Sequence, residues 1–160
     1  KDDAVGLFRA GRHELAAHRF RCIYEALGYI DDYRGVRGGE ARKLRVAELK
    51  RSCLLNRALC CLKAGLHRQA RTACDVVLED EPSNAKALFR RAQAHLGSGD
   101  LDRAMRDARA AAELEPGSAE ARQLVADIRS KLKADGQRKQ PLYAKMCGGL
   151  GNLPHPLDVD

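Results

Sequence analysis

Lys86 and Arg90, in the stretch "KALFRRA", stand four residues apart. On a helix that spacing stacks two cations on one face, where they repel by about 0.2–0.5 kcal/mol. The repulsion is offset if both side chains grip carboxylates, because an ammonium and a guanidinium form charge-assisted hydrogen bonds to anionic oxygens. Taken alone, such a pair is more often a solvated helix face. Arg91 lies about 100° further round the helix, so it need not join them.

Little else in the chain has the spacing for chemistry. No catalytic dyad, nucleophile elbow or glycine-rich phosphate loop occurs, so no catalytic residue is expected. The histidines His13, His18, His67, His95 and His155 show no metal-ligand spacing. The cysteines Cys22, Cys53, Cys60, Cys61, Cys74 and Cys147 contain no Cys-x-x-Cys pair. They sit among leucines and alanines and read as small buried thiols in a reducing cytosol, so neither a metal nor a cofactor is expected.

Composition narrows the partner. The 160 residues suffice for one domain with a core. Lys and Arg number 29 against 22 Asp and Glu, a net charge of +7, which suits an acidic peptide, nucleic acid or an anionic membrane surface. Aromatics are scarce beside the basic residues, which disfavours nucleic acid, and no apolar run is long enough for a membrane span. The chain opens on "KDDAVGLFRAG", without an initiator Met, and reads as a piece of something longer.

The elements that must carry Lys86 and Arg90 repeat. "LLNRALCCLKAGLHRQARTACDVVLEDEP" aligns without a gap on "LFRRAQAHLGSGDLDRAMRDARAAAELEP". Ala58 falls on Ala92, Gly65 on Gly99, Ala70 on Ala104 and Pro82 on Pro116, an offset of 34 residues. That is the period of a tetratricopeptide helix-turn-helix unit. The alanines allow close helix approach, the glycines suit a left-handed C-cap, and the prolines refuse to extend the unit. A diverged copy at the amino end supplies Ala4, Gly11, Ala16 and Phe20. Its glycine precedes Gly65 by 54 residues, which predicts a lengthened second helix, a glycine loop near Gly35 to Gly39 and a lengthened third helix.

The expected fold is therefore all-α, with three tetratricopeptide repeats in a right-handed superhelix plus a C-terminal capping helix. Helix pairs are predicted over roughly 2–24, 41–64 with 67–80, and 85–97 with 101–114. The repeats fall at about 1–27, 50–83 and 84–117, with a long insertion near 28–45. "GSAEARQLVADIRSKLKAD" begins an amphipathic cap within 117–146, interrupted at Pro141, and 147–160 is predicted to be a flexible tail. Asn56 and Arg90 share one repeat position, so with Lys86 they line the inner surface of such a superhelix.

The sequence resembles the tetratricopeptide domain of large immunophilins, the FK506-binding and cyclophilin-type prolyl isomerases. The likeness includes the long gap between first and second repeats and the tail "PLYAKM". It implies a co-chaperone module whose groove clamps the acidic Glu-Glu-Val-Asp terminus of a heat-shock chaperone, the 90-kDa class before the 70-kDa one. The resemblance places Lys1, Asn56, Lys86 and Arg90 at clamp positions. Phe8 and Leu59, one turn after Val5 and Asn56, would form an apolar floor for the peptide, with ordinary repeat packing as the alternative. Val5 stands where the family has Asn, which removes a hydrogen bond of about 1.5–3 kcal/mol or points to a scaffold with a different partner. The resemblance also implies an isomerase domain in the parent, no enzyme activity in this piece, and a cytoplasmic or nuclear setting. A calmodulin target in the basic segment from Arg129 to Lys145 is a weaker implication, because Pro141 would break its helix.

Overall fold

The computed structural model describes the backbone of residues 2–34 and 39–150, and side chains over 2–29 and 39–137. Lys1, residues 35–38, where the glycine loop was expected, and the last ten residues, 151–160, lie outside the described residues.

Seven helices account for the described regular structure: α1 (Asp2–Arg9), α2 (His13–Arg34), α3 (Glu40–Lys63), α4 (His67–Asp80), α5 (Ala85–Gly97), α6 (Leu101–Leu114) and α7 (Ala119–Leu150). Each helix packs on the next in the chain. In addition α3 touches α5, and α5 touches α7, so these three share one side of the stack.

The first helix of every pair stops in the same way. Gly11, Gly65 and Gly99 have φ of 73°, 74° and 81°. In the second pair Leu66 N–H donates to Cys61 at 2.8 Å and Gly65 N–H to Leu62 at 3.2 Å. The bonds Arg12 to Leu7 and Gly11 to Phe8, and Asp100 to His95 and Gly99 to Leu96, repeat that pattern. This crossed pair is the Schellman motif, which satisfies the last carbonyls of a helix and requires a left-handed residue. The starts of α5, α6 and α7 are capped by side chains: Asn84 accepts from Ala87 N–H at 3.0 Å, Asp100 from Arg103 N–H at 3.1 Å, and Ser118 from Ala121 N–H at 3.2 Å.

Small residues set the helix crossings. Ala4, Ala16, Ala58, Ala70, Ala92 and Ala104 are all fully buried. Three apolar clusters follow one another along the stack. Ala4, Phe20, Cys53 and Cys61 centre the first; Leu54, Val77 and Leu88 the second; Met105, Leu124 and Ile128 the third. Tyr24 packs against both the first and the second, and Phe89 against both the second and the third. Cys60 and Cys74 are buried thiols, and burial pushes them up to about 11 and about 12.

The cap departs from expectation at one point. α7 continues through Gly136 and Pro141 to Leu150, whereas a break was expected at Pro141. A proline removes one helical hydrogen bond and crowds the preceding turn; in a helix of 32 residues the bonds on either side continue the ladder.

Candidate functional site

The shared side of α3, α5 and α7 encloses a groove of about 1190 Å3. Lys86, Phe89, Arg90 and Gln93 enter it from α5, at i, i+3, i+4 and i+7, so they form one face of that helix. Leu59, Leu62 and Lys63 enter from α3, and Lys131 from α7. The acidic lining residues Glu115, Glu120 and Asp127 stand together on the α6–α7 wall. The α3–α5 wall is thus cationic and apolar, while the facing wall carries the negative charge.

Lys86 is exposed and makes no ion pair or hydrogen bond among the described residues. Arg90 is held differently. It is partly buried, and its Nη1 donates to the Leu55 carbonyl at 2.7 Å, joining α5 to α3. Desolvation by burial lowers its pKa, opposed by nearby Cys74 and Cys60, but a guanidinium remains charged at neutral pH. One nitrogen of the fork is therefore committed to the scaffold, and the others remain to meet a ligand.

Arg91 points elsewhere. Its Nε and Nη2 donate to the two Asp107 oxygens at 2.7 and 2.8 Å, and its Nη1 to Asp75 at 3.0 Å. These charge-assisted bonds, largest first the one to Asp107, raise its pKa and tie α4, α5 and α6 together.

The other expected positions divide. Leu59 lines the groove. Asn56 is half-buried on α3 and is not among the lining residues. Phe8 packs against the first apolar cluster, with its ring centroid 5.0 Å from that of His13, and is likewise outside the lining. Val5 packs on the same cluster, so the residue at the expected amide position contributes to the core. Phe89, Gln93, Lys63 and Lys131 belong to the groove and were not anticipated. Their signal was available: Gln93 extends the Lys86–Arg90 stripe by one turn, and Lys63 extends Leu59 by one turn.

Comparison with known proteins gives the same frame. A family model described as "Tetratricopeptide repeat" matches residues 61–128. Peptidyl-prolyl cis-trans isomerase FKBP4 of Mus musculus is 28% identical over 160 residues, which is 100% of this chain and 34% of the relative. The chain thus spans about a third of the length of that relative. Among solved structures, the C-terminal tetratricopeptide domain of a putative Plasmodium falciparum FK506-binding protein superposes with a TM-score of 0.67 at 23% identity, covering 85% of this chain and 87% of that one. The second tetratricopeptide domain of human RPAP3, solved with the HSP70 peptide SGPTIEEVD, gives 0.60 at 24% identity, with 81% and 91% covered.

Proposed function

We propose that this chain, similar to FKBP4 along its length and matched by the tetratricopeptide-repeat model over residues 61–128, uses its groove to bind the acidic C-terminal tail of a heat-shock chaperone. The observation that carries the reading is the α5 face on which Lys86 and Arg90 stand beside Phe89 and Leu59 in one groove. The terminal and side-chain carboxylates of an acidic tail would meet Lys86 and the free nitrogens of Arg90. Phe89 and Leu59 would take the apolar side chain between them. The resemblance would add Asn56 of α3, which stands outside the groove's lining, and Lys1, which lies outside the described residues, while Val5 supplies no amide.

The RPAP3 domain, a structural neighbour, binds a peptide of this acidic, valine-containing type. The 90-kDa chaperone is our preferred source of the tail, with the 70-kDa class as the other. A second reading, a scaffold for a different partner, is favoured by Val5 alone. This domain is a protein-interaction module; an isomerase domain belongs to the proposal for the longer parent.

Calorimetric titration with a Met-Glu-Glu-Val-Asp peptide and its carboxyl-amidated twin tests the clamp. The free acid is expected to bind and the amide to bind at least about tenfold more weakly, because a charge-assisted bond of about 1.5–3 kcal/mol is lost. Arg90→Glu is expected to abolish binding of the acid. Equal affinity for the two peptides, or binding that survives Arg90→Glu, would favour the scaffold reading.

A further inference from the structure

A second cationic cavity, of about 310 Å3, lies between α4, α5 and α6, on a different face of α5 from the groove. Arg71 and Asp75 of α4, Arg91 and His95 of α5, and Arg103, Arg106 and Asp107 of α6 line it. Arg91 makes three hydrogen bonds to Asp75 and Asp107, a network with one negative charge in excess. Arg103 leans on Asp100 at 3.4 Å. Arg71 and Arg106 make no ion pair or hydrogen bond among the described residues, so both side chains remain to meet a ligand, and their two charges outweigh the one excess carboxylate of the network.

His95 gives the cavity a built polar group. It is only 5% exposed, and its Nδ1 has no hydrogen-bond partner. The nearest carboxylate oxygens, from Asp100 to Nδ1 and from Asp107 to Nε2, stand at 3.9 and 3.8 Å, beyond hydrogen-bonding range. Nδ1 faces Asp100, outside the lining, whereas Nε2 faces Asp107 in the cavity wall without a hydrogen bond to it, and a ligand oxygen there would give Nε2 a partner. Repeat packing does not demand the arrangement. One period earlier the positions of His95, Arg103, Arg106 and Asp107 hold Cys61, Gln69, Thr72 and Ala73.

We propose that this cavity binds a phosphate-type oxyanion between Arg71 and Arg106, with His95 contributing a ring N–H. Arginine forks match the geometry of phosphate oxygens, and a doubly charged tetrahedral anion offers enough acceptors for both arginines and the imidazole. A free phosphate and a phosphorylated side chain present the same group to the site.

Titration of the chain with inorganic phosphate at low ionic strength, following the His95 ring protons by NMR, tests this. A saturable shift is expected, weakened about tenfold or more in the Arg71→Gln, Arg106→Gln double variant. Circular dichroism is expected to show that variant folded, since neither arginine supports a neighbour. O-phosphoserine, titrated in parallel, separates the sources. Binding of both probes assigns the site to the phosphate group itself, whereas binding of O-phosphoserine alone assigns it to a phosphorylated partner residue. A shift that never saturates, or one that survives the double substitution, overturns the proposal. The double variant is expected to bind the acidic tail peptide normally, so the two sites fail separately.

Discussion

Arg90 and Arg91 are adjacent in the chain and serve different faces of α5. Arg91 is consumed in structure by Asp75 and Asp107, which stand 16 residues before and after it. No helical spacing rule pairs residues that far apart, so this network was not legible in the sequence; only the 100° rotation away from Arg90 was. The Leu55 carbonyl bond of Arg90 escaped for the same reason, since it depends on how closely α3 and α5 approach. Val5 was legible as a departure but not as a core residue. Val5→Asn is expected to tighten the acidic tail peptide by about tenfold, by restoring a bond to a charged group. It should also lower the melting temperature, because an amide replaces an apolar side chain packed on the first cluster. Calorimetry and thermal unfolding of the one variant read both effects, and unchanged peptide affinity would remove position 5 from the clamp.

Helix ends were the most legible feature of the elements. Gly11, Gly65 and Gly99 announce their left-handed stops because a side chain is strained there, and the period does the rest. Gly97 looks similar in the sequence but has a different reason. Its backbone is helical, and a Cβ at that position would fall on the His67 ring, so the glycine provides room for the next repeat to close. Gly97→Ala is expected to cost about 1–3 kcal/mol, the usual penalty for overpacking. His67→Ala in the same background should recover most of that loss, which a double-mutant cycle by urea denaturation would measure. A loss unchanged by His67→Ala would mean that backbone, not the ring, sets the limit. The continuity of α7 through Pro141 was not legible, because a proline signals a break far more often than a tolerated interior position.

At the scale of the whole molecule, the three apolar clusters are not independent. Tyr24 and Phe89 each belong to two of them, so stability passes from repeat to repeat through shared rings. The last cluster depends on α7, whose Ile128 is fully buried against α6 and α5 residues. Ile128→Ala is expected to cost about 2–5 kcal/mol. Hydrogen exchange should then accelerate first in α7 and α6 while α3 and α4 keep most of their protection. Uniform acceleration across all helices would instead show that the stack opens only as a unit.

The insertion between the first two repeats follows a different logic from the rest of the stack. α2 and α3 have 22 and 24 residues, against 14 and 13 for α4 and α5. The surplus lies toward the far end of the pair, where Tyr29 and Leu44 are 71% and 60% exposed. Everywhere else a gain or loss of one residue would throw alanines and glycines out of register with the neighbouring repeat. Here the chain can lengthen or shorten at an entropic cost of only about 0.6 kcal/mol per doubling of a flexible connection. That end of the hairpin is a place where new sequence can be tried by evolution, or spliced in by design, while the groove keeps its shape.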